Sequence, residues 1–272
     1  LLPSRYEVVH VMPEIETRLL EETDYRFEAR QTAFFAETVA LPGIRIPTVA
    51  TSLSSERILA TEWLAGDHLD AWLQSNPSRA ARDRIADLFV QFFLYSLCQL
   101  GRIHADPNIG NYLITPAQEL AVIDFGCTQA ISPQTASGFM QLFFAYRAAD
   151  VDTVVDLLYD FRIFDPARVD RQQALSLVTP FAHWVSPIFA EQGFDFDAHP
   201  DYLARGFDLT VRLHQQQRTP LTSNKDMVFF ERTLLGYLRI FQQLGARVHF
   251  ALDQYARMIP QSETIWTAAG NE

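Results

Sequence analysis

The alternation of hydrophobic and polar positions predicts a helix followed by short strands in the first quarter of the chain. Pro13 precedes several acidic residues, which favours a helix start there, and helical spacing continues to about Val39. Leu41-Pro42-Gly43 then ends the helix. Two β-like runs follow, Ile46 to Thr51 and Arg57 to Trp63, and they predict a pair of strands.

The remaining pattern is mostly helical, with one interruption. Asn76-Pro77 predicts the start of a second helix, with Asn as its cap, and helical spacing continues to Gly101. Tyr112-Leu113-Ile114 and Leu120 to Ile123 predict a small hairpin. After Ser132-Pro133 the pattern is helical to the end of the chain. The order of elements predicts an α+β fold.

Composition limits the function classes. The 272 residues are 48% hydrophobic and 20% charged, which is typical of a folded globular chain. Twenty-two basic and 33 acidic residues give a net charge of −11, so we expect no nucleic-acid partner. Cys98 and Cys127 belong to no metal-binding pattern and are expected to be reduced thiols. The longest apolar stretch, Leu88 to Leu100, is too short and too polar to predict a membrane span, and no signal peptide is expected.

Candidate chemistry is concentrated between Gly101 and Gly126. His104-Ala-Asp106 is followed by Asn111, five residues after the aspartate (111 − 106 = 5). Asp124-Phe-Gly comes 13 residues after the asparagine (124 − 111 = 13), a gap that accommodates one hairpin. Protein kinases place a catalytic aspartate, a metal-binding asparagine and a metal-binding DFG aspartate in this order.

The residue types suit phosphoryl transfer. Carboxylate and amide oxygens are hard ligands that suit Mg²⁺, which neutralises phosphate oxygens. A further carboxylate, Asp106, can orient or deprotonate an attacking hydroxyl or water. We expect His104 to be a packing residue under this loop rather than a metal ligand.

Three segments carry a more particular resemblance. His104-Ala-Asp-Pro-Asn-Ile-Gly-Asn111 resembles the H-A-D-P-H-P-G-N loop of the UbiB family of atypical protein-kinase-like proteins. Glu22-Thr-Asp-Tyr-Arg-Phe-Glu-Ala29 is similar to that family's E-x-D helix. Arg57 to Gly66 is similar to the strand and hinge that link the two kinase lobes. The matches span Glu22 to about Ile131 and lie in the family's order.

The resemblance implies roles for individual residues. Asp106 matches the catalytic aspartate, and Asn111 and Asp124 match the metal ligands. Glu28 matches the helix glutamate that pairs with a nucleotide-binding lysine. The resemblance also implies that the E-x-D pair lies over the active site and that the hinge backbone contacts adenine. The residues expected to bind the nucleotide are Glu22, Asp24, Glu28, Glu62, Trp63 and Leu64.

The chain also departs from the family. Asn108-Ile109 replaces the usual His-Pro, which changes the rim of the site and not the metal ligands. The absence of a lysine two residues after Asp106, where typical protein-substrate kinases place one, in contrast supports the resemblance. The family's K-x-G-Q extension, nucleotide loop and strand lysine precede the E-x-D helix and are not in this chain, whose single lysine is Lys225. We therefore expect a protein-kinase-like fold with a partial N-lobe over residues 1–61 and a predominantly helical C-lobe over residues 62–272.

The resemblance implies an atypical kinase or ATPase that uses ATP and Mg²⁺ in ubiquinone or other isoprenoid-lipid metabolism. Its expected partners are the nucleotide, an isoprenoid lipid or quinone-pathway proteins, with peripheral contact to a membrane. The expected location is the cytoplasm or the inner face of a membrane. Two alternatives stay open: a non-catalytic pseudokinase or scaffold, and a small-molecule phosphotransferase of the aminoglycoside- or choline-kinase kind.

Overall fold

The computed structural model describes residues 25–216 and 224–260, and these form two compact units. Of the described residues, the first unit contains 25–70 and 108–128, and the second contains 71–107, 129–216 and 224–260. The described helices are α1 (Tyr25–Thr38), α2 (Leu69–Gln74), α3 (Arg79–Cys98), α4 (Pro133–Arg147), α5 (Val151–Asp160), α6 (Arg171–Val185), α7 (Tyr202–Gln216), α8 (Lys225–Leu244) and α9 (Leu252–Ala256). The described strands are β1 (Ile44–Arg45), β2 (Asp67–His68), β3 (Arg102–His104), β4 (Tyr112–Ile114), β5 (Leu120–Val122), β6 (Thr128–Ala130), β7 (Phe194–Asp195) and β8 (Arg247–Val248).

The first unit is built on a four-stranded sheet with the order β1-β5-β4-β2. β4 and β5 pair antiparallel and form the predicted hairpin, with Leu113 opposite Ala121. Gln118 closes its turn in the left-handed conformation, at φ 59°. Because all six residues of the two strands are buried, apolar packing fixes their register, and the hairpin prediction is confirmed.

The two runs expected as strands before the hinge do not form regular strands. They meet only through isolated bridges, Val49 with Thr61 and Ser55 with Ile58, around a 3₁₀ turn at Thr51–Leu53. The side chains of that turn are exposed, so no buried face supports a longer ladder. The part of the first predicted helix that precedes Tyr25 lies outside the described residues.

Helix α3 forms the centre of the second unit. Its N-cap is Ser78, whose Oγ accepts a hydrogen bond from the Ala81 N–H at 3.2 Å. The prediction of Asn76 as the cap is wrong, because Asn76 takes the left-handed conformation (φ 53°) that ends the preceding turn. Phe89 and Phe92 lie fully buried on α3 and belong to the apolar core of the unit.

Aromatic packing joins α3 to the helices that follow Pro133. Phe139 of α4 stacks on Phe230 of α8 with ring centroids 3.9 Å apart, and Phe93 of α3 lies 5.3 Å from Tyr237. Gly245 ends α8 in the left-handed conformation at φ 53°. The short β7–β8 pair interrupts what was predicted as an entirely helical region. In the described ranges, no helix is long and apolar enough to cross a membrane.

Candidate nucleotide and metal site

Helix α1 packs against the Asp124-Phe125-Gly126 segment within the first unit. Phe35 stacks on Phe125 with ring centroids 4.7 Å apart, and both rings are fully buried. Three residues further along, the Thr128 hydroxyl donates a buried hydrogen bond of 3.0 Å to the Gln31 Oε1 atom. These contacts fix the DFG segment against one face of α1, because Gln31 and Phe35 are one helical turn apart.

The same helix face brings Glu28 to Asp124. An ideal Cβ at Gly126 would lie 3.4 Å from Asp124 Oδ1 and 3.6 Å from Glu28 Oε2, so both carboxylates border one point. Burial and the nearby Asp124 charge raise the pKa of Glu28, while a hydrogen bond from the Phe125 N–H opposes the shift. Two carboxylates in this arrangement favour a cation between them, since a cation relieves both their repulsion and their desolvation.

Asn111 lies at the start of the hairpin whose far strand leads to Asp124. Its N–H donates to the Asn108 carbonyl at 2.9 Å, and its own carbonyl accepts from the Ile123 N–H at 3.0 Å. The Asn108 side chain accepts from the Gly110 N–H, which shapes the 3₁₀ turn that carries Asn111. These bonds attach Asn111 to the residue immediately before Asp124.

The donor set fits Mg²⁺ better than a transition metal. The described part of the chain holds no group of three His, Cys, Asp or Glu side chains arranged around a metal position. The Asp124 carboxylate and the Asn111 amide are hard oxygen donors that could hold Mg²⁺, which commonly takes only one or two carboxylates together with phosphate oxygens and waters. The residues therefore fit Mg²⁺ held jointly with a nucleotide.

The hinge residues border a groove of about 360 Å³ in the first unit. The Glu62 N–H donates to the Thr48 carbonyl at 2.8 Å, and its carboxylate lies 3.5 Å from Arg45. Trp63 is 90% exposed beside it. Because the Glu62 N–H is already bonded to Thr48, the backbone groups that could contact a ligand in this groove are those that follow it in the chain.

Asp106 belongs to the second unit, where it forms an ion pair that could not be predicted from the sequence. Arg232 of α8 places Nη2 2.7 Å from Asp106 Oδ1. His104 is buried and its ring lies 6.3 Å from that of Phe92, in agreement with the expected packing role. No local signal marks Arg232, because 126 residues separate it from Asp106. Glu22 and Asp24, the predicted E-x-D pair, lie outside the described residues.

The fold defines a class. The chain superposes on Rv3197 of Mycobacterium tuberculosis, solved as a complex with erythromycin, with a TM-score of 0.69 over 93% of this chain and 61% of that one. The two sequences are 20% identical, so the likeness concerns the fold. With the α+β architecture and the long helical second unit, it confirms the kinase-like fold predicted from the sequence.

Sequence comparison identifies the family. The ABC1 atypical kinase-like domain matches residues 1–158, more than half of the chain, and the chain belongs to this family, which is the UbiB family. It is 24% identical to the protein ACTIVITY OF BC1 COMPLEX KINASE 8, chloroplastic, of Arabidopsis thaliana, over 60% of this chain and 22% of that protein. It is 28% identical to the mitochondrial atypical kinase coq-8 of Caenorhabditis elegans, over 51% of this chain and 19% of that protein. The chain thus spans less than a quarter of the length of these two relatives.

Proposed function

We propose that this chain carries the metal- and nucleotide-binding part of an atypical kinase or ATPase that uses Mg-ATP. The observation that carries the proposal is the position of Asp124, which lies beside Glu28 and follows the residue bonded to Asn111. Oxygen donors of two types are thereby held on one well-packed segment. Membership of the ABC1 family supports the same reading.

The proposed roles divide between positioning and chemistry. Asp124 and Asn111 would hold Mg²⁺, which supplies charge neutralisation on the phosphate oxygens when it is bound. Glu28 would orient the metal or a nucleotide-binding cation through its carboxylate. The Glu62 carbonyl, Trp63 and Leu64 would contact the adenine edge. Asp106 would orient or deprotonate the attacking hydroxyl or water.

Nucleotide binding is tested by thermal unfolding of the 272-residue chain with Mg-ATP, Mg-ADP and each component alone. The variant is Asp124→Asn, and the matched control is Asp67→Asn, which removes an exposed carboxylate of the same unit. A ligand at about 100 times its Kd stabilises the folded state by about 2.7 kcal/mol, which raises the Tm by about 5–10 °C in a chain of this size.

We expect a Mg²⁺-dependent shift in the wild type and in Asp67→Asn, and its loss in Asp124→Asn. An equal shift in Asp124→Asn, or no shift in the wild type, contradicts the proposed metal site. Release of inorganic phosphate from ATP, measured on the same three proteins, then separates turnover from binding. Binding without turnover favours the pseudokinase or scaffold alternative.

We further propose a role in ubiquinone or other isoprenoid-lipid metabolism, with peripheral contact to a membrane. Its support is the family resemblance and the relationship to coq-8. Turnover is compared with and without vesicles that contain a prenylated quinone analogue, with plain phosphatidylcholine vesicles as the control. Stimulation by the quinone vesicles alone supports the role. Phosphate transfer to choline or an aminoglycoside favours the small-molecule phosphotransferase instead.

A further inference from the structure

Asp106 is held by a guanidinium that arrives from a distant helix of the same unit. Arg232 Nη2 donates to Asp106 Oδ1 at 2.7 Å, and about a third of the Asp106 side chain stays exposed. A charge-assisted bond of this length favours one orientation of the carboxylate. The bond therefore orients the carboxylate that, in the proposed function, orients or deprotonates the attacking hydroxyl or water.

Both partners are attached to rigid parts of the unit. Phe230 and Thr233 lie buried on α8 on either side of Arg232 in sequence, so the backbone that carries the arginine is fixed in the core. Gly236 lies directly against the loop, since a Cβ at this position would overlap Pro107 Cγ. A glycine at this point permits α8 to approach the loop closely enough for the arginine one turn earlier to reach Asp106.

Stability does not explain the pair. The Arg232 side chain is 55% exposed and that of Asp106 is 32% exposed. Ion pairs with this degree of solvent access contribute only about 0–1 kcal/mol, because water screens the charges and holding the side chains costs entropy. The contact therefore has a larger effect on carboxylate orientation than on folding.

The loop over residues 104–111 contains no lysine or arginine. Position 108, where typical protein-substrate kinases have a lysine, is Asn108, and its side chain is engaged with the Gly110 N–H. Arg232 places a positive charge at the aspartate from outside the loop. The cation is thus fixed by a helix and does not depend on the loop sequence.

We propose that Arg232 is the positioning residue for Asp106, and that it supplies from α8 the positive charge that the catalytic loop lacks. The proposal rests on the proposed function, in which Asp106 acts on the nucleophile. It predicts that loss of Arg232 slows turnover and leaves nucleotide affinity unchanged, because misplacement of a reacting group by about 1 Å costs up to about 10²-fold in rate.

The test measures ATP turnover by the full 272-residue chain and by Arg232→Ala, Arg232→Lys and Arg239→Ala. Arg239 is an exposed arginine of the same helix and provides the matched control. We expect Arg232→Ala to lower kcat about 10²-fold with the KM for ATP within about twofold of wild type. Arg232→Lys should retain part of the rate. Low millimolar guanidinium should raise the rate of Arg232→Ala and leave that of Arg239→Ala unchanged.

Each outcome decides between the two proposals. If Arg232→Ala turns over ATP as fast as wild type and Arg239→Ala, the positioning role is wrong and the proposed function stands. A loss of rate that follows a matching fall in Tm, with no response to guanidinium, also overturns it, because such a loss is structural. If wild type and Arg239→Ala are themselves inactive, the proposed function fails and the role of Arg232 fails with it.

Discussion

The Phe35 ring of α1 stacks on the Phe125 ring of the DFG segment at a centroid separation of 4.7 Å, and neither ring is exposed to solvent. Gln31 and Glu28, one and two turns before Phe35 on α1, make polar contacts with the same segment. The apolar stack therefore helps to hold the DFG segment against the helix that carries Glu28. The candidate metal site thus depends on a hydrophobic contact between two residues that are not themselves metal ligands.

Phe35→Ala should destabilise the chain by about 3–5 kcal/mol, because it removes a fully buried ring and leaves a cavity. Urea unfolding followed by circular dichroism measures the change. Phe207→Ala is the control, since that ring is 70% exposed, and we expect an effect within about 0.5 kcal/mol. Equal effects of the two variants would contradict the packing role of Phe35.

Glu28→Gln should change the pH dependence of stability. Since the pKa of Glu28 is raised in the folded state, the folded protein holds this proton more tightly than the unfolded chain. The stability linked to it is present at low pH and is lost as the pH rises from the ordinary value of 4.5 through the raised pKa. The Gln variant lacks this loss.

The free energy of unfolding of Glu28→Gln relative to wild type should therefore increase with pH over that range, as measured by urea titration at several pH values. Mg²⁺ should reduce the difference at neutral pH by stabilising the wild type more. Glu56→Gln, an exposed residue of the same unit, controls for general charge effects. A constant difference at all pH values would show that the Glu28 proton is not linked to folding.

Gly236→Ala should destabilise the second unit by about 1–3 kcal/mol, although alanine is the better helix former. The added Cβ would overlap Pro107 Cγ, and the rigid proline ring cannot rotate away. Thermal unfolding measures the effect. Pro107→Ala in the same chain removes the proline Cγ but keeps its Cβ, which would lie 2.8 Å from the new methyl group, so the double variant should regain part of the stability lost in Gly236→Ala. No recovery would place the cost elsewhere.

Cys98 should resist alkylation in the native protein. Burial raises the pKa of this thiol to about 12, so the reactive thiolate is about one part in 10⁴ at pH 8. Iodoacetamide labelling followed by mass spectrometry should modify Cys98 only when urea unfolds the chain. Cys98→Ala identifies the labelled peptide, and rapid native labelling of Cys98 would mean that α3 opens readily.

Local patterns predicted the elements whose signal lies in neighbouring residues. The hairpin of β4 and β5 followed from two apolar runs with polar residues between them, and α3 followed from helical spacing. The predictions of two strands before the hinge were wrong, because the local β preference of those residues is not supported by burial in the folded chain. Residues 46–51 and 57–63 have β-forming side chains, but their exposed turn supports only isolated bridges.

The sequence by itself determined the order and spacing of Asp106, Asn111 and Asp124, and with them the family, because catalytic-loop motifs are contiguous in the chain. The partners of those residues were decided by the tertiary structure alone. Glu28 meets Asp124 across 96 positions (124 − 28 = 96), and Arg232 reaches Asp106 across 126. Contacts at such separations arise from the packing of whole helices, and the pattern around either residue carries no record of them.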